Sequence, residues 1–339
     1  IRALNPDSEL IAAARNQGVL TALTAPAGAG FAGQAALLSL DGYTFEDLSI
    51  EGSLAIKIRL GGAGFSFGED EDCCGDQVDF IHALFHEQDE EMTAGQGRRG
   101  GGGGASADAT LTRITSELNK AREYKKNREA GMANQGPFVA RDDRYEALMA
   151  AADGVLPFLF EAHSAADIKA AVAWAEKEKV AIQIVGASSA GEIAEWLATK
   201  QVPILLTATL SMPGAEDPLD HFYGLAGRLH KAGVKFAIAT NESHDVRLIR
   251  DIAGFAARHG LPAEDAARAI TLWPAEILGV GKRLGAIAPG YEGTVILTDG
   301  PLVEFKTQVL KAWIMGRECD LSFRQTRLYD KYNARPKVG

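Results

Sequence analysis

Seven apolar runs rich in β-forming residues recur before residue 242: 19–26 (VLTALTAP), 34–40 (QAALLSL), 54–60 (LAIKIRL), 155–163 (VLPFLFEAH), 180–188 (VAIQIVGAS), 202–210 (VPILLTATL) and 234–241 (VKFAIATN). From residue 155 onward each is followed by a helix-length amphipathic segment: 164–179, 190–201, 217–233, then 244–260 and 262–279. Strand and helix alternating at this spacing predict a parallel sheet with helical crossovers, which excludes all-α and all-β architectures. A (β/α)8 TIM barrel closes only with eight strands. The reading is therefore a barrel whose first strand lies upstream of residue 1, in a chain that opens without Met in the ordinary segment IRALNPDSEL.

Other segments frame this series. Asn5-Pro6-Asp7-Ser8 reads as a helix start, and Gly18 as its stop. Helices are expected over about 107–131 and 142–153. Residues 63–106 break the rhythm with an acidic stretch, a short helix and the run GQGRRGGGGGASAD, read as a mobile loop. From residue 284 the texture changes to short alternating strands with glycine turns, and FRQTRLYDKYN reads as a terminal helix. The predicted units are a barrel over 1–283 and a small C-terminal β-sandwich remnant over 284–339.

Composition narrows the function. The chain has 339 residues, is 46% hydrophobic and carries a net charge of −10 without a Lys/Arg run, which argues against nucleic acid as the partner. No apolar stretch is long enough to span a bilayer, and the compartment, cytoplasmic or periplasmic, is not readable from this sequence. Cys73, Cys74 and Cys319 do not form a disulfide framework. His82 and His86 share one face of a predicted helix, a spacing that suits zinc or a solvated surface.

Polar residues at strand ends carry the candidate chemistry. Glu161 and His163 are two apart in a strand, so both point to one face. Lys57 sits within an apolar strand, where it is costly without a partner. The run FAIAT stops at Asn241, an amide that neither accepts a proton nor brings charge to a metal.

The end of the chain is more specific. ITLWPAEILGVGKRLGAIAPGYEGTVIL resembles the run T-x-N-P-A-x-I-L-G … R-x-G-S-I-x-P-G of the amidohydrolase superfamily, through Thr271, Pro274, Ala275, Ile277, Leu278, Gly279, Arg283, Gly285, Ile287, Pro289 and Gly290. The opening and the strand 155–163 are similar to the imidazolonepropionase-like branch. The resemblance implies a metal-dependent hydrolase of C–N bonds in amides, cyclic amides or peptide-like small molecules, using a divalent metal (zinc first) to activate water. It implies homo-oligomers or a paired amidohydrolase subunit as partners. Carried over residue by residue, it places Lys57 where some members have a bridging carboxylated lysine, although a plain sheet lysine is the alternative. It places Glu161 and His163 at metal-ligand positions, Gly186 near a position where relatives have His, and Asn241 on the proton-shuttling Asp. His244 is then a substitute base, a substrate contact or a first-turn helix residue. The expected mouth is lined by Glu161, His163, Ser188, Thr209 and Asn241, with Ser188 and Thr209 as substrate contacts. Asn241 and Gly186 together raise a second expectation: a catalytically weak or inactive paralogue that keeps the barrel as a binding module.

Overall fold

The computed structural model describes residues 4–28, 30–60, 106–133, 136–207, 209–211, 213, 217–240 and 242–335. Cys73, Cys74, His82, His86, the predicted mobile loop up to residue 105, and Asn241 lie outside the described residues.

Seven strands form one sheet in chain order: β1 (Thr21–Thr24), β2 (Gly30–Ser39), β3 (Ser49–Arg59), β4 (Phe158–Ala162), β5 (Ile182–Gly186), β6 (Ile204–Leu206) and β7 (Phe236–Ile238). All seven predicted runs are strands, but the sheet is not parallel throughout. β1–β2 and β2–β3 pair antiparallel, and only β3 to β7 are parallel. The reason is connection length. Residues 25–29 and 40–48, the latter holding the one-turn helix α2 (Phe45–Leu48), are too short for a parallel crossover, which needs about a dozen residues or more. Between β3 and β4 the chain has room for the long helices α3 (Ala107–Met132) and α4 (Asp143–Ala152).

The sheet is curled into a half-barrel. Ala35, Ala55, Leu159, Val185, Leu205 and Ala237 come from six different strands, yet they belong to one cluster of touching side chains. The opposite face is the main core. Ile56, Ile58, Phe158, Phe160, Ile182, Ile184 and Phe236 pack there against helices. Trp174 of α5 (Ala165–Glu178) meets Phe158 and Phe160 edge-on at 5.6 and 5.4 Å. β1 and β7 are the sheet's edges, and no ladder joins them among the described residues.

Local signals set the helix ends. Ser8 caps α1 (Glu9–Asn16), its hydroxyl accepting from the Leu10 amide. Ser164 caps α5 by accepting from the Asp167 amide at 3.1 Å, and its own hydroxyl donates to the Asp167 carboxylate at 2.7 Å. Several predicted helices are shorter than expected, and two differ most. Of 217–233 only α7 (Leu225–Lys231) is α-helical. The segment 262–279 splits into α9 (Ala263–Arg268) and α10 (Leu272–Ile277), because Pro274 cannot donate to the Ile270 carbonyl and is accommodated only in the first turn of a new helix. Between them run α6 (Ala194–Lys200) and α8 (Ile249–Arg258).

A second sheet, β8 (Val295–Thr298), β9 (Val309–Ile314) and β10 (Arg317–Glu318), is antiparallel in the order β10-β9-β8. Leu20 packs into its apolar side with Ala312, Ile314 and Cys319. The last helix, α11 (Arg324–Asn333), is tied to α1 by Arg327 and Glu9 at 2.7 Å. Buried Arg250 donates to the Gln17 carbonyl at 3.0 Å and the Thr307 carbonyl at 3.2 Å, joining α8 to both chain ends. Among the described residues no helix is long and apolar enough to cross a membrane.

Candidate functional site

Alternation decides which side chains face the concave side. Phe158 and Phe160 point to the helices, so Leu159, Glu161 and then His163 point inward. His163 leaves the end of β4 and meets Ser188, beyond the end of β5, with Nδ1 2.8 Å from the Ser188 hydroxyl. The backbone holds both in place. The Ala187 amide donates to the Ala162 carbonyl at 2.8 Å, and the Ser189 amide donates to the His163 carbonyl at 3.0 Å. Ala187 is in the left-handed region at φ 59, a conformation that persists in a residue with a Cβ only where its surroundings enforce it.

Gly186 makes room for this pair. Its φ is +99, and a Cβ there would lie 2.7 Å from His163 Cε1 and 2.9 Å from Nε2. The His163 ring therefore occupies the space that a side chain at position 186 would need.

These residues open on a cavity of about 210 Å³ at the C-terminal ends of the parallel strands. Thr207 and Thr240 line it from beyond β6 and β7, and Glu242 and Asp245 line the wall toward α8. Neither threonine was singled out by the sequence reading, although each is the polar residue closing an apolar run (ILLT, FAIAT). Asn241 is outside the described residues, but its neighbours Thr240 and Glu242 both line the cavity.

The other predicted positions fall elsewhere. Thr209 is buried at 2% exposure and is not part of the cavity lining. Its hydroxyl has no hydrogen-bond partner among the described residues. His244 is exposed on the rim, 3.4 Å from Glu242 and 3.5 Å from Asp245. Lys57 and Glu161 form a buried ion pair at 3.1 Å on the concave face, and Arg59, which the sequence reading passed over, approaches the same carboxylate at 3.7 Å.

This arrangement bears on a metal. A catalytic zinc needs about three protein donors turned to one point. Among the described residues no three His, Cys, Asp or Glu side chains converge in that way. Glu161 faces an ammonium and a guanidinium, so a divalent cation brought to it meets like charge. The described residues do not fit a resident metal ion. The expected trio of Lys57, Glu161 and His163 is divided, with two members in an ion pair and the third bonded to Ser188.

Comparison with known proteins adds family and fold. The model of the amidohydrolase family matches residues 74–324. The crystal structure of an amidohydrolase from Thermotoga maritima MSB8 superposes with a TM-score of 0.74 at 22% identity, over 93% of this chain and 75% of that one. A zinc-bound adenosine deaminase from Xanthomonas campestris gives a TM-score of 0.40 at 17% identity, over 68% of this chain and 61% of that one. A molinate hydrolase gives 0.41 at 19% identity, over 53% and 46%. No curated protein matches the chain.

Proposed function

This chain belongs to the amidohydrolase family, and on that premise we infer that it hydrolyses a C–N bond in a small amide, cyclic amide or peptide-like substrate at the rim of β4–β7. The observation that carries the reading is the His163–Ser188 hydrogen bond, 2.8 Å long, on the wall of the cavity where Thr207 and Thr240 also converge. That bond selects the tautomer of His163. When Nδ1–H donates to the Ser188 oxygen, Nε2 keeps a lone pair able to take a proton from an attacking water. The imidazolium so formed gives the Nε2 proton to the leaving amine, which returns His163 to the same tautomer, while Nδ1–H donates to the Ser188 oxygen throughout.

Family members are generally metal-dependent, and a bound ion supplies water whose pKa is lowered to about 7. The described donors of this chain do not build such a site, so the steps above are assigned to His163 and Ser188. Asn241, at the position of the family's Asp, cannot take a proton. His244 stands on the rim as a secondary contact for substrate or product. Residues 1–283 are read as the barrel unit. The sheet β8–β10 is read as what this chain keeps of the family's small β-sandwich, and a cyclic amide is the substrate favoured by resemblance to the imidazolonepropionase-like branch.

The test is release of amine from a panel of N-acyl amino acids, cyclic amides and dipeptides. His163→Ala is expected to lower the rate about 10²–10⁴-fold. Absence of release from every compound, or a rate indifferent to that substitution, overturns the reading. A catalytically weak or inactive paralogue is the second reading. It is favoured by Gly186, where the His163 ring takes the place of any further ligand. Amine release by the wild-type protein excludes an inactive paralogue, and release lowered about 10²–10⁴-fold by His163→Ala excludes a weak one.

A further inference from the structure

Ser188 stands where the parallel sheet hands over to a helix. β5 ends at Gly186, and a single helical turn, Ala190–Ile193, leads into α6. Two successive residues with positive φ, Gly186 at 99° and Ala187 at 59°, bend the chain just before the serine. A sharp, strained strand-to-helix turn of this kind lifts a side chain clear of the sheet edge. Both residues two positions from Ser188 are small. Gly186 makes room for the His163 ring, and Ala190 is fully buried. The hydroxyl presented by the turn lines the cavity and lies 2.8 Å from His163 Nδ1. That is the reach of a nucleophile to its base. The Ser188 amide makes no hydrogen bond among the described residues, which leaves a donor beside the hydroxyl for an oxyanion. Thr207 lines the same cavity and brings a second donor to it.

We propose that Ser188 is also a nucleophile, and that the pair cleaves short carboxylic esters through an acyl-serine, an activity separate from amide hydrolysis. The two neutral tautomers of His163 divide the chemistry. The Nδ1–H form serves water through Nε2. The Nε2–H form leaves the Nδ1 lone pair facing the Ser188 hydroxyl. In that form Oγ attacks the ester carbonyl carbon while its proton passes to Nδ1. The bond to the alcohol oxygen breaks, and the Nδ1 proton goes to the leaving alkoxide. Water then attacks the acyl carbon and gives a proton to Nδ1. The Oγ–C bond breaks, Oγ takes that proton back, and the acid is released. A cavity of about 210 Å³ with Leu210 and Ile252 on its wall suits a short apolar acyl group. Glu242 and Asp245 on the same wall disfavour an anionic one.

The experiment treats the wild-type protein with a fluorophosphonate. Attack by Oγ forms the O–P bond, fluoride leaves, and the adduct is mapped by tandem mass spectrometry. It is expected on Ser188, with Ser189 and Ser211 unmodified. His163→Ala is expected to slow labelling about 10²–10⁴-fold. The unlabelled protein should cleave p-nitrophenyl acetate and butyrate, and prior labelling should stop it. A hydroxyl that only positions His163 would give no adduct. Absence of the adduct, an adduct on Ser189 or Ser211 alone, or labelling at a rate indifferent to His163→Ala overturns the proposal. So does ester cleavage that is absent at the start or persists in the fully labelled protein. Amine release without an adduct overturns this proposal alone. An adduct and ester cleavage without amine release from any amide overturn the amide reading alone and leave the acyl-serine standing.

Discussion

The parallel strands end in two different hollows. At their N-terminal ends is the larger, about 560 Å³, lined by Pro157, Glu176, Lys179, Lys200 and Gln201. At their C-terminal ends is the smaller, about 210 Å³, lined by His163, Ser188, Glu242 and Asp245. The larger hollow is made of turns. Lys179 and Gln201 are the left-handed C-caps of α5 and α6, bringing the chain from helix back to strand. Its Lys200 and Glu176 form a surface ion pair at 2.6 Å. The smaller one brings polar groups from the ends of several strands to one place, with a positive-φ glycine reserved for a single ring. Convergence of polar groups, more than volume, locates chemistry in such a fold.

Three substitutions put this contrast to work. Lys57→Met leaves the Glu161 carboxylate buried without its ammonium partner, with Arg59 at 3.7 Å. The expected loss is about 3 kcal/mol in chemical denaturation, toward the lower end of the range for a broken buried pair because Arg59 remains. A loss under about 1 kcal/mol would mean that water already solvates this layer. Gly186→Ala is next. It forces a Cβ into a left-handed backbone and against the His163 ring, at a cost of about 2 kcal/mol, and amine release should fall with it because the ring must leave its place. Unchanged activity would show that His163 works from another rotamer. The smallest effect belongs to the lower hollow. Lys200→Ala should change stability by less than about 0.5 kcal/mol and turnover not at all. A marked drop in turnover would place function at the wrong end of the strands.

Much of the scaffold was legible from local pattern. Each of the seven apolar runs is a strand, Ser8 and Ser164 are helix caps, and Gly279 is a left-handed stop. Strand direction was less legible. The same runs VLTALTAP and QAALLSL that suggested a parallel series form an antiparallel pair, because pairing depends on connection length and on partners, not on the run itself. The site was legible in half. His163 and Ser188 were singled out separately, and the structure places them in contact. Thr209 was taken from the same strand run as Thr207, but Thr209 is buried away from the cavity while Thr207 lines it. β6 ends at Leu206, so the alternation that links side chain to face does not extend to residue 209. Arg59 was passed over because an arginine at a strand end looks like any solvated rim residue until the occupant of the adjacent register position is known.

The sequence by itself determined where the seven strands of the main sheet lie, where the first helix starts and stops, and which family its C-terminal run resembles. These features depend on residues a few positions apart, whose periodicity and capping act within a single element. The tertiary structure alone decided that Glu161 pairs with Lys57, that Gly186 yields its space to His163, and that Arg59 approaches the same carboxylate. Each of those depends on side chains from different strands meeting across a curled sheet, and the curvature that brings them together is a property of the sheet as a whole.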